Sequence, residues 1–281
     1  MPPEPQAREL QINGLPITLW EWPAPGEPIL FCHATGFHGR CWDQVIRRLP
    51  GRHCYALDFR GHGRSAKPDP PYRWRSFGED LAELARQLGL RQAIGVGHSM
   101  GGHALALAAA LVPSAFSRLV LLDPVIRPPG GYRGEWKESH FAARRRNQWS
   151  SPDEMFQRFE NRPPFASWDR TVLRDYCDYG LLPAPGGDGF VLACPPAVEA
   201  SIYANSSCPE SSIYAEIARV AVPALIVRSA NQFQEGTPDM NASPTASNLA
   251  SYFQNGTDLH LPDRSHFIPM EAPAWVAQAI S

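Results

Sequence analysis

A serine set among glycines, in the run Gly97-His98-Ser99-Met100-Gly101-Gly102, restricts this chain more than any other feature. The run follows the apolar stretch Gln92-Ala93-Ile94-Gly95-Val96 and precedes a helix-forming stretch at 103–112. Strand, tight turn and helix must therefore succeed one another within a few residues. So sharp a reversal drives the backbone of Ser99 toward a strained region. Only residues without Cβ at positions 97 and 101 let strand and helix close up. The serine hydroxyl then stands at a helix N-terminus, where unpaired amides and the positive end of the helix dipole favour developing negative charge.

Three further motifs keep the same register. Phe31-Cys32-His33-Ala34-Thr35-Gly36-Phe37 ends the short apolar strand 29–32, and Leu57-Asp58-Phe59-Arg60-Gly61-His62-Gly63-Arg64-Ser65 ends the strand 53–57. Asp263-Arg264-Ser265-His266-Phe267 sits between the strand 258–261 and a closing helix. With these four motifs in this order, the chain resembles the α/β-hydrolase superfamily from about residue 10 to its end. The resemblance implies an α/β fold with a mostly parallel eight-stranded sheet, flanking helices and a helical cap inserted after strand 6. It speaks to fold more strongly than to substrate.

The alternation along the chain agrees. Segments 8–13 and 17–22 read as an antiparallel strand pair across Gly14-Leu15-Pro16. Strands at 29–32, 53–57, 92–97 and 118–122 then alternate with helices at 40–49, 76–89 and 100–112, which argues for parallel strands and right-handed crossovers. Phe77, Leu81, Leu84 and Leu88 mark the buried face of the second of these helices. The alternation stops at Pro124 and resumes at Pro223-Ala224-Leu225-Ile226-Val227. A stretch this long is not a structureless loop. It is expected to form a mostly helical cap over 127–218, with the core domain in 1–126 and 219–281. The cap aromatics Trp136, Phe141 and Trp149, with Phe37 from the core, are candidates for the pocket wall, although most cap aromatics are expected to pack on one another.

Composition excludes several classes. At 281 residues with 43% hydrophobic and 19% charged content, the chain can bury a large core. A formal net charge of -2 offers no field for a phosphate backbone, so nucleic acid is not expected as a partner, and Arg144-Arg145-Arg146 reads as a solvated helix face, with an anion site as the alternative. No signal peptide is legible and no apolar run reaches the ~20 residues of a membrane span, so a cytoplasmic protein is expected. The six cysteines form no C-x-x-C pair, and most read as buried or partly buried thiols. No metal-ligand spacing and no phosphate-binding glycine turn appears, so no metal or organic cofactor is expected. Nothing in the sequence indicates an oligomeric state.

A serine hydroxyl attacks a carbonyl only when an imidazole takes its proton. His266, on the loop after the last strand, is placed for this, and the resemblance implies the same position. His98 lies in the turn and His103 one helical turn on, so neither readily offers a ring nitrogen to Ser99. His33 and His62 are expected to brace loops, with Asp58 and Arg60 bracing the same region. For the acid that orients His266, the usual aspartate after the seventh strand is missing from Ile226-Val227-Arg228-Ser229-Ala230-Asn231. The variant of the superfamily that places the acid after the sixth strand favours Asp123, with Glu235 as the alternative. The oxyanion donors implied are the amides of Met100 and Thr35, with Gly36 also open for the second. The expected activity is hydrolysis of a small-molecule carboxylic ester through an acyl-enzyme, the aromatic cap suiting an apolar group better than a charged one. A lactonase or a C–C bond hydrolase of ring-cleavage products is the alternative reaction, and a non-catalytic ligand-binding homologue the alternative class.

Overall fold

The computed structural model describes residues 4–135, 140–230 and 241–281. The chain opens with a hairpin of β1 (Gln6–Ile12) and β2 (Leu15–Trp22). Its turn is Asn13-Gly14, both at positive φ, so the reversal comes earlier than the expected Gly14-Leu15-Pro16 and Pro16 lies within the strand. Two residues at positive φ give a turn whose twist matches that of paired strands. Next come β3 (Pro28–Cys32), α1 (Asp43–Ile46), β4 (His53–Leu57), α2 (Trp74–Gln87), β5 (Ala93–His98), α3 (Met100–Leu111) and β6 (Phe116–Leu122). The helix expected over 40–49 is much shorter, a 3-10 turn at Gly39–Trp42 leading into the single turn of α1.

Between β6 and the next core strand lie β7 (Gln148–Trp149), α4 (Pro152–Phe159), α5 (Arg170–Tyr179), β8 (Leu181–Pro183), β9 (Phe190–Leu192), α6 (Pro196–Asn205) and α7 (Tyr214–Ile217). This stretch is not purely helical, because β7, β9 and β8 pair antiparallel into a small sheet of their own. Short strands with few apolar residues carry too weak a periodic signal to be read from sequence. Ile213 and Ile217 pack into the main core rather than among the aromatics of the inserted stretch. The chain closes with β10 (Ala224–Ser229), β11 (Gly256–Leu261), α8 (Ile268–Glu271) and α9 (Pro273–Ile280).

The main sheet runs β1-β2-β4-β3-β5-β6-β10-β11, parallel from β4 onward. Alternation within β3 shows how it is covered. Leu30 and Cys32 pack with α2 and α3 on one face, while Ile29 and Phe31 pack with α1 and α9 on the other. Successive side chains point to opposite faces, so a strand covered on both sides is apolar throughout. Phe77, Leu81 and Leu84 of α2 are fully buried and Leu88 partly so.

A third apolar cluster joins the inserted stretch to the core. Trp149, Met155, Phe156, Trp168, Leu173 and Tyr176 pack with Phe37, Cys41, Phe267 and Met270 from loops at the strand ends. A close backbone approach positions α3. A Cβ on Gly101 would stand 2.2 Å from the Cys32 carbonyl oxygen, and one on Gly97 would stand 2.6 Å from the Gly101 carbonyl oxygen. Neither neighbour is a flexible side-chain end. Gly101→Ala is therefore expected to cost about 3 kcal/mol of stability in chemical denaturation, whereas Gly130→Ala, with no atom nearer than 4.0 Å, should stay near wild type. Equal denaturation midpoints for the two variants would contradict this account of the α3 packing.

Candidate active site

Ser99 caps α3 at φ 57 and ψ -119, a conformation that a non-glycine residue adopts only when its surroundings enforce it. The enforcement is visible in four hydrogen bonds. The Ser99 amide donates to the Leu122 carbonyl at 3.1 Å, and the Ser99 carbonyl accepts from Gly102, His103 and Val125. Asp123, at the end of the neighbouring strand, is held in the same way. Its φ is 46 and its amide donates to the Val227 carbonyl at 2.7 Å.

His266 reaches both residues. Its Nε2 lies 3.0 Å from Ser99 Oγ and its Nδ1 lies 2.6 Å from Asp123 Oδ2. An ionised carboxylate only accepts, so Nδ1 carries the proton and Nε2 is left to accept from the serine hydroxyl. Asp123 is fully buried. Its Oδ2 also accepts from Ser229 Oγ at 2.9 Å, and its Oδ1 accepts from the Ser229 amide at 3.1 Å and from Ser243 Oγ at 2.5 Å. Burial alone pushes this carboxyl up, but the bonds from His266, Ser243 and Ser229 outweigh it and hold the group below its ordinary range. Thr245 Oγ1 donates at 2.7 Å to the Pro124 carbonyl, which pins the loop beneath.

The two amides expected to face an oxyanion have no hydrogen-bond partner among the described residues, which holds for Thr35 as for Met100. Gly36 is different. Its amide donates to His62 Nε2 at 3.0 Å, so of the two residues left open by the sequence only Thr35 keeps a free N–H. His62 can accept there because its Nδ1 donates to the Arg60 carbonyl. His33 works in the same sense, donating from Nδ1 to the Ala34 carbonyl and accepting at Nε2 from the Phe59 amide. Both histidines brace loops, as expected. Asp58 accepts from the Gly39 and Arg64 amides, whereas Arg60 reaches away to a paired contact with Asp80 on α2.

His98 does more than fill the turn. Its Nε2 donates to the His266 carbonyl at 2.8 Å, holding the backbone of the loop that carries the imidazole. Burial and the neighbouring His266 ring push its own pKa down to about 3, so it stays neutral beside that ring. The signal in the sequence was its place next to Ser99, but a contact spanning most of the chain has no local signature. His103 faces away, bonded to the Ser211 carbonyl.

The remaining candidates separate. Phe37 packs against Trp168 and Tyr176 and stands edge-on to His98. Trp149 is buried among the aromatics, against Phe159. Phe141 is not brought into that cluster, since its 3-10 turn buries Ala142 and leaves Phe141 47% exposed against His140. Trp136 and Glu235 lie outside the described residues. All six cysteines are buried free thiols, no described group of His, Cys, Asp or Glu side chains is arranged to hold a metal ion, and no described helix is long and apolar enough to cross a membrane.

Residues 29–279 match the alpha/beta hydrolase family. The chain belongs to that family. Curated relatives match over shorter stretches. A 2-(acetamidomethylene)succinate hydrolase of Mesorhizobium japonicum is 32% identical over 42% of each chain, and a non-heme chloroperoxidase of Streptomyces lividans is 35% identical over 42% of this chain and 43% of its own. The alignments thus span less than half the length of these relatives. Solved structures align along nearly the whole chain. An E-2-(acetamidomethylene)succinate hydrolase gives a TM-score of 0.76 at 22% identity over 98% of this chain and 97% of its own. The enol-lactonase from Burkholderia xenovorans gives 0.69 at 19% identity, over 97% and 98%. At such identities the structures speak to the fold, which they share with this hydrolase-family chain.

The buried histidines set a pH dependence of stability. Burial lowers the pKa of His38 and His103 to about 4 and of His62 and His98 to about 3. Below about pH 6.5 the unfolded chain takes up these protons and the folded chain does not, so stability falls with pH until the folded-state values are reached. Each group contributes up to about 1.4 kcal/mol per pH unit across that window. The urea midpoint should drop steeply between pH 7 and pH 5, and His62→Gln should lessen the slope by about one proton. A flat profile would contradict the neutral, buried state assigned to these rings.

Proposed function

We propose that this chain is a serine hydrolase that cleaves carboxylic esters through an acyl-enzyme. Within the family this is the finer reading, and the observation that carries it is the contact of one imidazole with both a serine hydroxyl at 3.0 Å and a buried carboxylate at 2.6 Å. Ser99 is the nucleophile, His266 the base, and Asp123 the positioning residue that keeps the proton on Nδ1.

As Ser99 Oγ attacks the ester carbonyl, its proton passes to His266 Nε2. The imidazolium that forms is stabilised by Asp123, whose hydrogen-bond cage keeps it ionised. The carbonyl oxygen gains charge and is met by the unpartnered amides of Thr35 and Met100, each contributing about 3 kcal/mol in the transition state. His266 then protonates the leaving alcohol, and water releases the acid by the same path in reverse. His98, neutral and bonded to the His266 carbonyl, adds no positive charge that would oppose the imidazolium.

Hydrolase names recur among the relatives, and one neighbour of the same fold is named an enol-lactonase. The inserted stretch 127–218 serves in this reading as a cap, joined to the core through Phe37, Trp168 and Tyr176. The ligand is a small molecule.

Short p-nitrophenyl esters and a fluorophosphonate probe test the assignment. Ser99→Ala should abolish labelling, and Asp123→Asn should lower turnover by well over ~100-fold because the imidazole is left in the wrong tautomer. Glu235→Gln should remain near wild type. Reversed effects for the two carboxylates would move the positioning role to Glu235, and a folded protein that resists the probe would favour a non-catalytic ligand binder.

A further inference from the structure

Beside the loop that carries Thr35 lies a polar group that the proposed mechanism does not use. Arg145 Nη1 donates to Glu199 Oε2 at 2.5 Å, and Arg145 Nη2 donates to the Tyr176 hydroxyl at 3.1 Å. The three residues come from the 3-10 region after residue 140, from α6 and from α5, and they meet against Gly36. A Cβ on Gly36, which sits at φ 81, would stand 3.0 Å from Glu199 Oε1 and 3.5 Å from Arg145 Nη1. The guanidinium therefore lies beside Gly36, the residue that follows Thr35 in the chain.

Hydrogen-bonding capacity is left over. A guanidinium has five N–H donors, and the contacts above use two. The Tyr176 hydroxyl accepts from Arg145, and its own hydrogen has no acceptor among the described residues. Glu199 is 5% exposed, and its Oε1 makes no hydrogen bond among the described residues. Arg145 keeps 27% of its side chain accessible while Glu199 keeps 6%, so the open side of the pair is the guanidinium. Here donors outnumber the single free acceptor, and the donor fork is planar.

We propose that Arg145, with Tyr176, forms a subsite for a carboxylate on the substrate, so that the ester cleaved at Ser99 carries an anionic end. The inference rests on the ester-hydrolase reading and names its substrate class. Two N–H groups of Arg145 meet a planar carboxylate in a paired contact that a lysine does not reproduce. Glu199 sets the strength. It holds the guanidinium in place, and its own negative charge limits how tightly a second carboxylate binds. The aromatic cluster, expected from the sequence to favour an apolar group, would then face the hydrocarbon part of the molecule.

The charge arrangement makes the two partners respond in opposite directions. The substrates are p-nitrophenyl half-esters of linear diacids from glutarate to suberate, each against the same ester with a carboxamide in place of the carboxylate. Wild type should favour the best half-ester by about tenfold in kcat/KM, chiefly through KM. Glu199→Gln should raise that preference further, while Arg145→Gln combined with Glu199→Gln, which leaves no unpaired buried charge, should bring it to about one. A preference of one in wild type, or loss of both substrates together in Glu199→Gln, would overturn the subsite and leave a structural ion pair. Calorimetric binding of linear dicarboxylates to Ser99→Ala protein reads the subsite without turnover. Binding that strengthens in the Glu199→Gln background with no ester hydrolysis in wild type would sink the ester-hydrolase reading alone, and absence of binding would sink the subsite.

Discussion

The sheet's hydrogen-bond ladder does not stop where the strands end, and the candidate site depends on that continuation. The Ser99 amide reaches back to Leu122, the Asp123 amide to Val227, and the Ser229 amide to the Asp123 carboxylate. Three neighbouring loops are thereby locked to one another by backbone donors. Ser99 and Asp123 both sit at positive φ as a result, and both would relax if the ladder ended with the strands. The lateral bonds hold a strained geometry so that two side chains converge on one imidazole.

Electrostatics at the site follow from how each buried group is satisfied. Asp123 remains charged in full burial because several donors converge on it, whereas His33, His62 and His98 remain neutral because burial disfavours the charged imidazolium. Desolvation acts on all of them. Opposite outcomes arise because the hydrogen bonds to the carboxylate favour its charged form enough to outweigh burial, while the carbonyls that accept from these imidazoles do not offset it. The Arg145–Glu199 pair is a third solution, in which a partly exposed guanidinium completes a buried carboxylate.

Much of this was legible in the linear chain. The four loop motifs, the strand-helix alternation and the long interruption after Pro124 are local patterns, set by periodicity and by the intolerance of Gly97 and Gly101 for a side chain. Ser99 directly follows β5 and His266 lies on the loop after β11, places that the strand pattern marks in the sequence. The antiparallel β7-β9-β8 sheet was not, since its strands are two or three residues long. Nor did Phe141 behave as its type suggested, because the short turn that carries it buries its neighbour instead.

The sequence by itself determined the order of elements and the one place where strand and helix must nearly touch. Tertiary structure decided which partner each side chain meets. Asp123 stands against His266 because β6 and β10 are neighbours and donors from both sides surround its carboxylate. Thr35 keeps its amide because His62, from another loop, takes that of Gly36. Arg145 and Glu199 lie 54 residues apart and pair only once α6 is packed. Short-range patterns fix backbone shape through sterics. Contacts between distant residues depend on which strands become neighbours, and that is set only when the sheet closes its hydrogen bonds and buries both faces.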